Sequence, residues 1–224
     1  DVYKRQGLRS IQRKGSNSFE ALNEPIILDG PYSNSAFDIV CKNDKVYMII
    51  GGKDLLNGKR FDKGGYILTY DYDKWSFIDP KEAQKKLNLP RNPRDYTSIA
   101  VTTDDSNDEI VYASSMGDGV IQYKNGTPVQ SYNEKNAFKE TAGGYGSGYC
   151  YIDGLAFDKN GNLWMTSSEV NHAVLVLDKA GAWHRLDIEQ LRGVYTINDI
   201  LITSTNDKWI YVPRNTPKLV MIPN

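Results

Sequence analysis

The chain has 224 residues, with 27 lysines and arginines against 28 aspartates and glutamates, so its formal net charge is −1 at pH 7. This balance argues against nucleic acid or an anionic membrane surface as an electrostatic partner. No apolar run approaches the roughly 18 to 20 residues of a membrane-spanning helix. The 15 tyrosines and 19 glycines, together with many β-branched residues, favour an all-β protein rich in turns.

The chain begins with the residues DVYKRQ, Asp1–Gln6. They can be written back into codons as GAT GTG TAT AAG AGA CAG, the end of a transposase-based library adapter. We therefore expect residues 1–6 to be an adapter-derived artefact joined to a truncated reading frame, and we exclude them from the fold prediction.

The first clear strand pattern is FDIVCKNDKVYMIIGG, which starts at Phe37 and places two β-rich runs around a short polar turn. Two further strand-like runs follow in GYILTYDYDKWSFID, from Gly65. Asp79 and Pro80 then predict the N-cap and the first position of a short helix that Pro90 ends. The pattern indicates a unit of four strands followed by a helical insertion.

The strand-turn-strand phrase recurs in YTSIAVTTDDSNDEIVYASS, which starts at Tyr96. It occurs twice more in IDGLAFDKNGNLWMTS and INDILITSTNDKWIYV, which begin at Ile152 and Ile197 and align without a gap at an offset of 45 residues. Asn, Gly and Asp in the turns favour hairpins because these residues tolerate positive φ. The matching tryptophans, Trp164 and Trp209, are predicted to pack between neighbouring units.

Four-stranded units repeated at this spacing are typical of propeller blades. We predict an all-β fold, a partial β-propeller of about four blades of four antiparallel strands, truncated at both ends because the last unit stops after a third strand. A β-sandwich is the structural rival, but it does not require the same phrase four times. The predicted segments are 7–35 for the end of a preceding blade and its connection, 36–95 for a blade with the helical insertion, 96–150 and 151–194 for two blades, and 195–224 for an incomplete blade.

Five phrases together carry a family resemblance: NEPIILDGPYSNSAFDIVCKNDKVYMIIGG, NPRDYTSIAV, VYASSMGDGVIQYKNGTPVQSYNEKN, GLAFDKNGNLWMTSSEVNHAVLVLDKAGAWHRLD and TINDILITSTNDKWIYVPR. In this order they resemble the PorZ-like propeller proteins of the type IX secretion system of Bacteroidota. The resemblance extends from about Glu24 to Ile222 and so covers nearly the whole chain. The phrase DGLAFDKNGNLWM alone is also similar to two-component-regulator propeller repeats.

The resemblance implies an exported, non-enzymatic protein at the cell surface and outer membrane. Such a protein would present an anionic lipopolysaccharide to a sortase-like peptidase complex, with the remaining blades of the same protein as further partners. Neither nucleic acid nor a direct membrane span is expected. The alternative is the periplasmic glycan-sensing propeller of a hybrid two-component regulator. A propeller glycan lyase or hydrolase is less favoured because the sequence offers no clear acid/base constellation.

Propellers usually bind ligands with their loops, where aromatic faces and planar donors suit sugars and anionic groups. The candidate ligand-binding residues are Tyr145, Tyr149, Asn171, His172 and Arg214. No catalytic residue, cofactor or metal site is predicted; Asp158–Asn162 begins like a calcium loop, but the required Gly and closing Glu are misplaced, which favours a hairpin turn. Cys41 and Cys150 lack CxxC spacing and are expected to be buried side chains.

Overall fold

The computed structural model describes residues 11–21, 30–138, 148–214 and 216–224. The suspected adapter residues 1–6 and the candidate Tyr145 lie outside this part of the chain. A hairpin of β1 (Ile11–Arg13) and β2 (Phe19–Ala21) comes first, and all of its residues are exposed.

Four antiparallel blades follow, each built from consecutive strands of the chain, and the second and third blades are joined in one eight-stranded sheet. The first blade contains β3 (Ala36–Lys42), β4 (Lys45–Ile50), β5 (Ile67–Asp71) and β6 (Lys74–Ile78). The second contains β7 (Tyr96–Thr103), β8 (Glu109–Gly117), β9 (Gly119–Lys124) and β10 (Thr127–Tyr132). The third contains β11 (Cys150–Phe157), β12 (Leu163–Ser167), β13 (Val174–Leu177) and β14 (Trp183–Leu186). The fourth contains β15 (Ile200–Ile202), β16 (Lys208–Val212) and β17 (Lys218–Ile222).

The first strands of successive blades contact one another, β3 with β7, β7 with β11 and β11 with β15. These strands are therefore the inner strands of a propeller, and the later strands of each sheet lie progressively further out. The predicted fold class, a partial β-propeller, is confirmed. Blades two and three are also joined by backbone pairing, since Cys150 pairs with Gly117 and Tyr151 with Met116.

The predicted helix is confirmed as α1 (Pro80–Leu87), which packs beside β10. The Asp79 carboxylate accepts a hydrogen bond from the backbone N–H of Lys81 at 2.9 Å, as expected of an N-cap. The helix ends at Asn88, which adopts the left-handed conformation with φ 51°. A second, shorter element, a 3-10 helix at Glu189–Leu191, lies between the third and fourth blades.

Apolar side chains fill the space between each pair of neighbouring sheets, because a blade can bury its two faces only against other blades. Trp164 lies in the cluster between the third and fourth sheets, as predicted. Trp209 does not follow the prediction and is 38% exposed, because no described sheet covers its side of the fourth blade. The other exposed large side chains of this face are Leu201, Tyr211, Leu219 and Met221.

The two cysteines are both free but differ in burial. Cys150 is buried at the start of β11, as expected, and burial raises the pKa of its thiol to about 12. The expectation for Cys41 was wrong, because this residue is exposed beside the β3–β4 turn, at the open end of the sheet.

The segment that begins like a calcium loop is a hairpin turn, as favoured. One carboxylate oxygen of Asp158 accepts hydrogen bonds from the backbone N–H groups of Asn160 and Asn162, at 2.9 and 2.8 Å. The other oxygen accepts the indole N–H of Trp164 at 3.0 Å. This carboxylate is therefore fully used by the turn and the neighbouring strand.

Candidate ligand-binding face

Each four-stranded antiparallel sheet has two ends, so its connections fall into two groups. Tight turns join the first strand to the second and the third strand to the fourth. The longer connections, between second and third strands and between blades, lie at the opposite end, which we call the loop face. Within the described residues the loop face contains segments 51–66, 79–95, 133–138, 148–149, 168–173 and 187–199, together with Asp118 and Arg214.

The largest loop of this face, residues 51–66 between β4 and β5, folds back across the inner strands. A Cβ at Gly51 would lie 2.3 Å from the Tyr96 backbone nitrogen, and one at Gly52 would lie 2.0 Å from the Phe37 ring. Both glycines have positive φ, so the chain can turn inward here only without side chains. The inward turn at Gly51 and Gly52 places the next residue, Lys53, in the interior of the propeller.

The Lys53 ammonium ion pairs with the carboxylate of Asp153 on β11, and each side chain is 1% exposed. The ammonium also donates to the Ile197 carbonyl at 3.3 Å and lies 4.9 Å from the centre of the Tyr151 ring. Ser168 completes the group: its hydroxyl donates to Asp153 and accepts the Ile197 backbone N–H at 2.8 Å. This Lys53 cluster, defined as Lys53, Tyr151, Asp153, Ser168 and Ile197, links the first, third and fourth blades.

Burial raises the pKa of Asp153 to about 6, although the Lys53 ammonium and the Ser168 hydroxyl act in the opposite direction. The pKa of the nearby Glu169 is also raised, first by burial and then by the charge of Asp153. Charged groups in a protein interior are usually paired, because removing them from water is costly. The Lys53 cluster is therefore a site where the ion pair must be kept intact.

The candidate Arg214 lies beside Gly58, which is in the middle of the loop formed by residues 51–66. Its guanidinium carbon is 5.5 Å from the centre of the Tyr195 ring, a cation-π arrangement. A Cβ at Gly58, the tip of the loop, would lie 3.1 Å from an Arg214 nitrogen and 3.6 Å from the Thr196 hydroxyl. Within the described residues, the buried Nη1 of Arg214 and Oγ1 of Thr196 have no hydrogen-bond partner. The guanidinium N–H of Arg214 thus has an unused donor, and the Thr196 hydroxyl has unused donor and acceptor capacity.

The candidate Tyr149 is half-buried next to the loop. Its ring makes an edge contact with Tyr151 at 6.3 Å, and Tyr151 in turn lies against Lys53. Burial raises the pKa of Tyr149, and the neighbouring Arg60 guanidinium acts against this shift. Arg60 also bonds to Asp62 at 2.5 Å and lies 3.4 Å from a buried oxygen of Asp95. Tyr149 and Arg214 therefore flank one loop, with the Lys53 cluster beneath it.

The remaining candidates stand apart from this arrangement. Asn171 is exposed and His172 is half-buried, and both lie in the β12–β13 loop of the same face. His172 lowers the pKa of Asp187, after the larger effect of Arg192, which places it near the connection between the third and fourth blades. Tyr145 falls outside the described residues. The ligand-binding role of all five candidates stays a prediction.

Sequence reasoning missed the centre of this face. Lys53, Asp153 and Thr196 were not among the candidates, although Asp153 interrupts the apolar run CYIDGLAF. A charged residue in the middle of a buried strand needs a partner of opposite charge. Lys53, directly after two glycines, carried no comparable signal in the sequence, because its partner is 100 residues away.

The described part of the chain shows neither a membrane-spanning helix nor a metal-binding cluster. None of its helices is long and apolar enough to cross a membrane. None of its groups of three or more His, Cys, Asp or Glu residues is arranged to hold a metal ion.

No protein-family model matches the sequence, and no curated protein matches it. Among solved structures, the chain is similar to PorZ, an essential bacterial surface component of the type-IX secretion system of Porphyromonas gingivalis. The match has 20% sequence identity and a TM-score of 0.75, and it covers 96% of this chain and 28% of PorZ.

Two further structures are similar over most of the chain. The extracellular domain of a hybrid two-component system from B. thetaiotaomicron matches with 13% identity and a TM-score of 0.52, covering 92% of this chain and 23% of that one. Virginiamycin B lyase from Staphylococcus aureus matches with 14% identity and a TM-score of 0.50, covering 85% of this chain and 56% of the lyase. Since every identity is below 25%, the shared feature is the fold: the chain is a β-propeller segment similar in structure to part of PorZ.

Proposed function

We propose that the chain is a non-catalytic binding and scaffolding propeller of a type IX secretion accessory protein. In this role it presents an anionic lipopolysaccharide to a sortase-like peptidase complex at the outer membrane. The observation that carries the proposal is the similarity to PorZ over 96% of the chain at a TM-score of 0.75. PorZ is described as a surface component of that secretion system, and the chain spans only 28% of it.

The loop face supplies the chemistry that an anionic glycolipid requires. Arg214 has no ion pair with a carboxylate of the described residues, and Tyr195 holds its guanidinium from one side. Arginine binds phosphate and carboxylate groups through two parallel hydrogen bonds, and aromatic rings pack against sugar faces. Arg214, Thr196 and Tyr149 thus form the proposed contact surface, which the Lys53 cluster holds in place from below.

The similarity to an extracellular domain of a two-component system supports a second candidate, a periplasmic glycan-sensing propeller. Both candidates bind through loops and need no catalytic group. They differ in the ligand, which is an anionic lipopolysaccharide in the first case and a free glycan in the second.

The test is binding of the chain to immobilised anionic lipopolysaccharide, measured by biolayer interferometry at two salt concentrations. We expect salt-sensitive binding that Arg214→Ala weakens at least about tenfold, since a charge-assisted hydrogen bond contributes roughly 1.5 to 3 kcal/mol. Lys179→Ala is the control, because Lys179 is a cation in a tight turn at the opposite end of the blades. Equal binding by all three proteins, or binding to a neutral lipopolysaccharide with the same affinity, would contradict the proposal.

A further inference from the structure

A second surface lies at the opposite end of the blades from the loop face, in the wedge between the second and third blades. It is a cleft of about 660 Å³, within the range of roughly 300 to 1,000 Å³ that small-molecule sites occupy. Each flanking blade contributes four strands, and the pairing of β8 with β11 joins the two blades in one eight-stranded sheet. The cleft therefore has one complete four-stranded blade on each side.

Four aromatic residues line this cleft, namely Tyr112, Tyr132, Phe157 and Trp183. Tyr132 and Trp183 meet edge to face at 5.4 Å, and Tyr112 and Phe157 do so at 5.9 Å. Tyr132, Phe157 and Trp183 are only partly buried. Aromatic side chains that are held by one another and still reach solvent present apolar surface at little cost in conformational entropy.

The charges that line the cleft are equal in number and opposite in sign. Lys124 bonds to Asp104 at 2.8 Å, and Lys179 lies 3.5 Å from Asp105 across the mouth of the cleft. With Lys159 and Asp178, the lining contains three lysines and three aspartates. A balanced rim of this kind does not attract an ionic ligand of either sign.

Several polar groups of the cleft keep unused hydrogen-bonding capacity. The indole N–H of Trp183 has no acceptor among the described residues. By contrast, the indole N–H of Trp164, which lies outside the cleft, donates to Asp158. The side-chain amide of Asn160 and the ammonium of Lys159 likewise have no side-chain partner among the described residues. Amide and ammonium donors around an aromatic floor are the groups that bind hydroxyl-rich, uncharged molecules.

We infer that the cleft between the second and third blades binds an uncharged oligosaccharide, with sugar rings packed on Trp183 and Tyr132 and hydroxyl groups bonded to Asn160. This site is separate from the loop face and does not rest on the function proposed for it. The neighbouring cleft between the first and second blades has a similar volume, about 650 Å³, but only two aromatic residues, Tyr47 and Phe77. Tyr47 is fully buried there, with its hydroxyl bonded to Glu109.

The repeat supplies a matched pair of variants. Asn160 and Ser106 occupy the same position in equivalent turns, because each backbone N–H donates at 2.9 Å to the aspartate two residues earlier. Both side chains are exposed, so a tryptophan is tolerated at either position. Asn160→Trp fills the proposed cleft, whereas Ser106→Trp places the same bulk on the second blade at a residue that does not line the cleft.

The experiment is isothermal titration of the chain with cellohexaose, laminarihexaose, mannohexaose and isomaltohexaose, with a sulfated hexasaccharide as the charged probe. We expect at least one neutral probe to bind, Trp183→Ala to weaken it about tenfold through loss of the aromatic platform, and Ser106→Trp to leave it unchanged. Asn160→Trp should abolish binding while retaining the circular dichroism spectrum, which covers the case in which Trp183→Ala does not fold.

Three results overturn the inference. These are no heat of binding with any neutral hexasaccharide, undiminished binding by Asn160→Trp, and a preference for the sulfated probe. Loss of lipopolysaccharide binding at the loop face would leave this experiment unaffected, because its variants and probes are different.

Discussion

Replacing Lys53 with methionine tests the importance of the Lys53 cluster. Methionine is similar to lysine in length but carries no charge, so Lys53→Met removes the ammonium and leaves the Asp153 carboxylate in place. The carboxylate would then keep only the Ser168 hydroxyl as a described side-chain partner. Since both members of the ion pair are 1% exposed, water cannot replace the lost ammonium.

The expected cost at pH 8 is large. Removing one partner of a buried ion pair destabilises a protein by roughly 3 to 5 kcal/mol, because an uncompensated charge remains. In a chain of this length, 1 kcal/mol corresponds to roughly 2 to 4 °C in Tm. Lys53→Met should therefore lower the melting temperature by roughly 6 to 20 °C at pH 8.

The sign of the pH dependence follows from the pKa of Asp153. Burial raises this pKa from 3.8 to about 6 while Lys53 lowers it, so the folded-state value in Lys53→Met lies still higher. Because the pKa of Asp153 is higher in the folded state than in the unfolded state, where it is near 3.8, the protonated carboxyl favours folding. This contribution to stability is fully present below pH 3.8 and is lost as the pH rises through the folded-state pKa. The deficit of the variant should accordingly shrink by at least half at pH 5, where its Asp153 is protonated.

The measurement is thermal unfolding followed by circular dichroism at pH 5 and pH 8. Lys179→Met, which removes an exposed cation, should change the stability by less than about 0.5 kcal/mol. The double variant Lys53→Met/Asp153→Asn should recover much of the stability at pH 8, because no charge is left buried. A Lys53→Met protein that melts like the original, or whose deficit is the same at both pH values, would refute the reasoning.

Three further outcomes are expected. A thiol reagent at pH 8 should label Cys41 rapidly, whereas the buried Cys150, with its pKa raised to about 12, should react only after unfolding, as counted by mass spectrometry. Asp158→Ala should cost about 2 kcal/mol in urea denaturation at pH 7. Burial alone would raise the pKa of Asp158, but hydrogen bonds from the Trp164 indole and from the turn amides outweigh burial and lower this pKa. The stability that the ionised Asp158 carboxylate contributes is therefore present above pH 3.8 and is lost as the pH falls below it. Leu219→Lys combined with Met221→Lys should reduce self-association in size-exclusion chromatography, because both side chains lie on an uncovered sheet face.

Each of these outcomes has its own contrary result. Labelling of both thiols at equal rates would mean that the start of β11 opens in the native state. Equal stability of Asp158→Ala and the unaltered chain would mean that the turn does not depend on its carboxylate. Leu56 provides the control for self-association: it is 87% exposed but lies in a loop, so Leu56→Lys should not change the elution volume.

The blades could be predicted from the sequence because their information is local. Strand runs, Asn-Gly-Asp turns and the offset of 45 residues between Trp164 and Trp209 all lie within single units. The helix was equally readable, since Asp79, Pro80 and Pro90 act on neighbouring backbone groups. These signals need no knowledge of the rest of the fold.

The centre of the loop face could not be predicted in the same way. Its defining contact joins Lys53 to Asp153, which are 100 positions apart in the chain. The local sequence around either residue does not indicate that the other is its partner. Burial depends on such distant neighbours as well. Trp164 and Trp209 occupy equivalent positions in the repeat, yet among the described strands a neighbouring sheet covers only Trp164, so Trp164 is buried and Trp209 is not.

The backbone pairing between β8 and β11 has a mechanical consequence. Most contacts between neighbouring blades are made by side chains, which separate one at a time when a chain is stretched. The second and third blades are additionally tied by the pairing of Cys150 with Gly117 and of Tyr151 with Met116. Under tension applied through the chain, these two blades should therefore separate later than blades that are joined by side chains alone.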